Sequence, residues 1–335
     1  MGFGKRLLPE IGPATMKFAF PLQDPDSVLK GLRGDDRLFA QAELAIARCD
    51  FRAARDFYGK LSKSPKYFMS AIRFGVVSAI GLGDLELFDK IVSGLSLVRR
   101  TAQDAGGALQ ADLAESWIHQ WMWIPTGHPE WICRFDFENV PKTWWDSAAY
   151  LGAKIRLVRG QFESAYAAAA LMMSYVDPSK NITARDAYLT MTRAVACRET
   201  GRESEMMKWI ETAVRKLAPH GILLPFILFM YGTAKSPIEE VLTEIRPELV
   251  PRFREIDRSY YKNLIAVRNH YLGEHVTDKL SFREMYLAML LKRGMAYGEL
   301  AKRFWVTVGR LKNVVSNVYE KLGIHSRGEL RDLVW

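Results

Sequence analysis

"RLKNVVSNVYEKLGIHSRGEL", residues 310–330, carries apolar side chains at Leu311, Val314, Val315, Val318, Tyr319 and Leu322. Steps of three and four place these on one side of an α-helix and leave Arg310, Lys312, Asn313, Ser316, Asn317 and Glu320 on the other. Such a helix turns its polar face either to water or to a partner. The residues on either side decide between the two.

Upstream, Leu280 precedes "SFRE", where Ser281 is spaced to cap the amide of Glu284 while Glu284 reaches back, and Leu280 and Met285 form a hydrophobic staple. A helix therefore starts at Phe282, turns Leu287, Leu290 and Leu291 inward and stops at Gly294. "AYGELAKRFW" supplies a second short helix with Leu300, Ala301 and Phe304 inward. Thr307 then caps the helix quoted above. Two short helices joined by a tight turn, the second with one polar face, make a helix-turn-helix.

These residues resemble the LuxR-type DNA-binding domain. The likeness runs through Leu280, Ser281, Arg283 and Glu284, Gly294, the trio Glu299, Leu300 and Ala301, Thr307, Gly309, Leu311 with Lys312, "NVYEKL" from Asn317 to Leu322, and Ser326, Arg327, Glu329 and Leu330. It implies that the helix from about Val308 to Gly323, about 24 Å long, enters the major groove of double-stranded DNA. Lys312, Asn313 and Ser316 then face the bases, lysine suiting guanine O6/N7 and asparagine adenine N6/N7. Thr307, Arg310, Lys321 and Arg327 become phosphate contacts, which position without reading sequence. The family also implies homodimers on half-sites spaced about one helical turn, ~34 Å, RNA polymerase as a further partner, and activation as the commoner outcome. Three residues depart from the pattern. Ala296 replaces a capping hydroxyl, Arg310 a threonine and Val314 a histidine, so the DNA sequence read is expected to differ from that of typical members.

Charge agrees with this. The 335 residues carry a formal +9, which favours polyanions. From His275 onward eleven Lys/Arg stand against six Asp/Glu. With 49% hydrophobic and 25% charged residues the composition is that of a globular protein.

From about Asp36 to Pro219 the chain is built of helix-length blocks rich in Ala, Leu, Arg and Glu, with almost no strand-like alternation. A local pattern recurs at "ARCDFRAARDFY", "AIGLGDLELFDK", "LVRGQFESAYAA" and "CRETGRESEMMKW". In each, one helix ends at a small residue, a polar residue follows and a second amphipathic helix begins. The turn residues Asp50 and Asp84 are 34 apart, the period of a tetratricopeptide repeat. The region resembles such repeats loosely: later steps vary, and Phe88 stands where a small residue often packs. A non-repetitive helical bundle is the alternative. The fold class expected is all-α, a tetratricopeptide-like N-terminal domain followed by a four-helix LuxR-type domain.

Residues 117–145 hold six of the nine tryptophans. Trp117, Trp121, Trp144 and Trp145 could wall a pocket for a small-molecule or protein effector, or simply pack helix pairs together. A helix over 252–272, with apolar Phe253, Ile256, Tyr260, Leu264, Val267 and Tyr271, suits either docking on the last helix pair or a short dimerising contact. The domains read as an N-terminal segment 1–35, a helical sensory domain 36–245, a linking helix 246–274 and the DNA-binding domain 275–335.

Other function classes are disfavoured. Cys49, Cys133 and Cys197 have no metal or disulfide spacing, so no metal or cofactor is expected and the chain reads as cytoplasmic. Pro9 and Pro13 break any signal-peptide core. "GILLPFILFMYGTA", residues 221–234, is too short to span a membrane and reads as a core helix. No nucleotide-binding or hydrolase motif occurs, so no enzyme is expected. A DNA-binding transcription regulator is the leading reading. The other is a helical scaffold whose helix-turn-helix binds protein.

Overall fold

The computed structural model describes residues 19–20, 27–64, 66–102, 105–174, 182–228, 237–273, 279–304 and 306–332. Most of the N-terminal segment, residues 229–234 of the apolar run, the 274–275 boundary and Leu333 to Trp335 lie outside them. The described chain is helical apart from one antiparallel bridge pairing Ala19 with Thr183 and Phe20 with Ile182. Eighteen α-helices follow in chain order: α1 Ser27–Lys30, α2 Gly34–Ala47, α3 Phe51–Leu61, α4 Phe68–Leu82, α5 Leu85–Thr101, α6 Ala105–Trp121, α7 Glu130–Arg134, α8 Trp145–Val158, α9 Phe162–Ser174, α10 Ala184–Glu199, α11 Glu203–Leu217, α12 Leu224–Ile227, α13 Pro237–Ile245, α14 Val250–Leu272, α15 Phe282–Lys292, α16 Tyr297–Arg303, α17 Val308–Leu322 and α18 Arg327–Asp332. No described helix is long and apolar enough to cross a membrane.

The turns read from sequence mark helix starts. Asp50 caps α3 by accepting from the Ala53 amide at 3.1 Å, and Asp84 caps α5 through the Leu87 amide at 3.0 Å. Gln161 and Arg202 immediately precede α9 and α11. Short turns make sequence neighbours antiparallel neighbours in space. From α2 to α6 and from α7 to α11 each helix packs on the next, while α2, α4, α6, α8 and α10 also pack in succession. Those alternate helices are the most deeply buried, and α4 hides Arg73, whose Nη1 donates to Glu43 Oε1 of α2 at 3.1 Å. Each charge needs the other there, because an isolated buried ion is strongly destabilising.

The long helix α14 corrects one expectation. Its stripe docks mainly on α4 near the start of the chain, with lighter contact to α5, α12, α13 and α15. Tyr260 lies against the Phe51 ring at 5.8 Å, and Asn263 Nδ2 donates to Gly81 O at 3.1 Å. Gly83 ends α4 at φ +68°, and a Cβ there would sit 3.1 Å from Asn263. Arg252 Nη2 donates to Arg48 O at 2.8 Å. Phe88, too large for the usual small position between paired helices, meets Tyr271 edge-on at 5.7 Å. The stripe needed an apolar partner, and the first pairs expose one across their turns. Residues 250–272 therefore belong to the helical body.

Candidate nucleic-acid interface

The C-terminal unit grows from its caps. Ser281 and Glu284 close both bonds of a capping box, with Glu284 N to Ser281 Oγ at 3.3 Å and Ser281 N to Glu284 Oε2 at 2.7 Å. Leu280 and Met285 are buried beside them. Thr307 Oγ1 accepts from the Arg310 amide at 3.2 Å and starts α17. At Ala296 only half of a box exists, Ala296 N donating to Glu299 Oε2 at 3.0 Å, since alanine has no oxygen to return. Leu287, Leu290, Leu291, Leu300, Ala301, Phe304, Leu311, Val315, Val318, Ile324 and Leu330 form the core among α15 to α18.

That core settles which way α17 faces. Leu311, Val315 and Val318 are buried and Val314 is half-buried. Arg310, Lys312, Asn313, Ser316 and Asn317 are all exposed, as is Thr307 at the helix start. Lys312, Asn313 and Ser316 thus share one open face, next to the positively charged first turn. Lys321 and Arg327 are engaged elsewhere. Lys321 Nζ lies 2.7 and 2.8 Å from the two oxygens of Glu284. Burial works to raise the Glu284 pKa, but hydrogen bonds from Lys321 and Ser281 prevail and hold it below the usual range. Arg327 donates through Nε to Leu291 O at 2.8 Å and through Nη2 to Met295 O at 3.1 Å, fastening α18 to the end of α15. As phosphate ligands these two would first give up internal bonds, which Arg310 and Thr307 need not do.

The opposite side of the unit is docked on the helical body. Glu199, at the end of α10 with a side chain 1% exposed, pairs with Arg303 of α16 and accepts from Tyr286 Oη of α15 at 3.0 Å. Arg293 donates to Val158 O at the end of α8. Burial, then the charge of Glu199, pushes the Tyr286 phenol well up. Sequence reading missed this seam, because Glu199 and Arg303 each look like ordinary solvated charges. A cleft of ≈ 20 Å³ opens on it, lined by Trp123, Phe162, Met285 and Met289 among others. That is room for little more than one water.

The tryptophans read either as pocket walls or as packing lie away from this seam. Trp121 and Trp144 are each 1% exposed and Trp117 is buried, its ring stacked on Trp121 at 6.0 Å and on Tyr150 at 5.6 Å. Trp145 is 40% exposed, its Nε1 donating to Val140 O at 2.9 Å. The three buried rings fill the interior, where their large apolar area stabilises most. Among the described residues no cluster of His, Cys, Asp or Glu could hold a metal ion. No family model, curated protein or solved structure matches the chain.

Proposed function

We propose that the protein is a sequence-specific DNA-binding transcription regulator of the LuxR type, controlled by an effector of its tetratricopeptide-like helical body. The observation that carries the reading is the open face of α17. Lys312, Asn313 and Ser316 stand exposed in a row, with Arg310 and Thr307 at the head of the helix, while the opposite side is buried on α15 and α16. Side chains of these types are the ones that read base edges and phosphates. The resemblance of residues 280–330 to the LuxR pattern supports the same reading, as does the positive balance of the last sixty residues. The helix pairs that contact only near neighbours over much of their length suit a sensory body.

The test is selection of duplexes from a random pool by the full chain, followed by salt titration. Specific binding should weaken linearly in log–log form, each neutralised phosphate contributing about −0.9 to the slope. Lys312→Ala should lose ~1–3 kcal/mol on the selected site and little on random DNA, whereas Arg310→Ala should weaken both alike. Failure to enrich any sequence would remove the reading and favour a protein-binding scaffold.

A further inference from the structure

We infer that Val308 is a specificity residue that reads the 5-methyl group of a thymine in the DNA site. The inference rests on the DNA-binding reading above and adds a base contact to it. Among the described residues of the C-terminal unit, Val308 is the one large hydrophobic side chain left exposed, at 42%. Every other exposed position of α17 is polar, charged or glycine: Gly309, Arg310, Lys312, Asn313, Ser316, Asn317, Glu320 and Lys321.

Its placement gives the valine a direction. Positions 308, 312 and 316 are four apart, so Val308 heads the line that continues through Lys312 and Ser316. Gly309 follows it, and a Cβ there would meet nothing within 4 Å, so the protein interior supplies no reason for the glycine. Its effect is to strip bulk from the first turn beside Val308 and let the backbone approach a partner closely. A branched apolar side chain on a face otherwise made for polar base edges has one matching feature in the major groove, the thymine methyl. Four residues of helix rise about 6 Å, and successive base pairs are about 3.4 Å apart. The thymine should therefore lie about two base pairs from the guanine that Lys312 reads.

The experiment uses the full chain and the duplex it selects. Each thymine is replaced singly by deoxyuridine, which removes only the methyl group, and affinity is measured for the native protein and for Val308→Ala. The native protein should lose about three- to tenfold at one thymine per half-site, the size expected for one buried methyl. Val308→Ala should bind the unmodified duplex more weakly by a similar factor and show no further loss at that position. Because the side chain is exposed, the variant should keep native helix content by circular dichroism. The inference is overturned if no deoxyuridine changes native affinity by more than twofold, if Val308→Ala responds as the native protein does, or if the selected site has no thymine in reach. In those cases specific DNA binding itself stands. Absence of any selected site would overturn both.

Discussion

Ala296 offers a direct measure of what a cap is worth in this unit. Its backbone, at φ −70° and ψ 149°, is nearly that of the two hydroxyl caps beside it, Ser281 at −66° and 159° and Thr307 at −70° and 155°. At those two positions the side-chain oxygen sits 3.3 and 3.2 Å from the amide three residues on. Ala296→Ser would set an oxygen at the same distance from the Glu299 amide without moving the backbone, and Glu299 already supplies the return bond. The side chain is exposed, so the extra hydroxyl meets no clash. A cap of this kind contributes about 1 kcal/mol, close to a fivefold change in the local opening equilibrium. Hydrogen exchange on the full chain reads this directly. The amides of Glu299 and Leu300 should exchange roughly fivefold more slowly in Ala296→Ser, while Thr307→Ala should speed exchange at Arg310 and Leu311 by a similar factor. Unchanged exchange in both variants, with helix content preserved, would refute the view that these hydroxyls stabilise the helix starts.

Further variants probe the body and the seam. Asp257 on α14 has its carboxyl pushed up to about 7 by burial, aided by the charge of Glu239. Its folded pKa lies above the unfolded value, so its contribution is greatest below about pH 4 and declines as pH rises to about 7. Asp257→Asn should remove that decline, raising stability by up to ~4 kcal/mol above pH 7 with little effect at pH 4, as read by urea titration at both values. Glu199→Ala leaves Arg303 and Tyr286 without their shared partner and should cost ~3–5 kcal/mol, seen as faster exchange in α15 and α16 while α17 keeps its cap. Trp121→Ala should lower stability by ~3–5 kcal/mol in denaturant titration, the behaviour of a packed ring.

Local signals survived the step from sequence to structure, and long-range ones did not. Asp50, Asp84, Ser281 and Thr307 announce helix starts because a cap is settled within four residues of chain, and the burial of Leu311, Val315 and Val318 follows from helical spacing alone. The stripe of α14 said that an apolar partner existed but could not say which, since α4, α5 and the last pair all present apolar turns. Glu199 and Arg303 illustrate the same limit. Their identity as a buried pair depends on two surfaces meeting, and nothing adjacent to either residue encodes that meeting. Six tryptophans close together admitted two readings, because a ring buried in a core and a ring lining a pocket leave the same trace in sequence.

The return of α14 to the first helices has a consequence for how the chain is made. Gly81, whose carbonyl receives Asn263, is synthesised 182 residues earlier than its partner. At ~5–20 residues per second, the turns of α4 and α5 wait roughly ten to forty seconds for the helix that covers them. During that interval Phe51 and Phe88, both buried in the finished protein, lack their aromatic partners. A nascent chain stalled before residue 272 would present this apolar patch to chaperones and proteases, and a truncation ending near residue 245 would keep it exposed permanently.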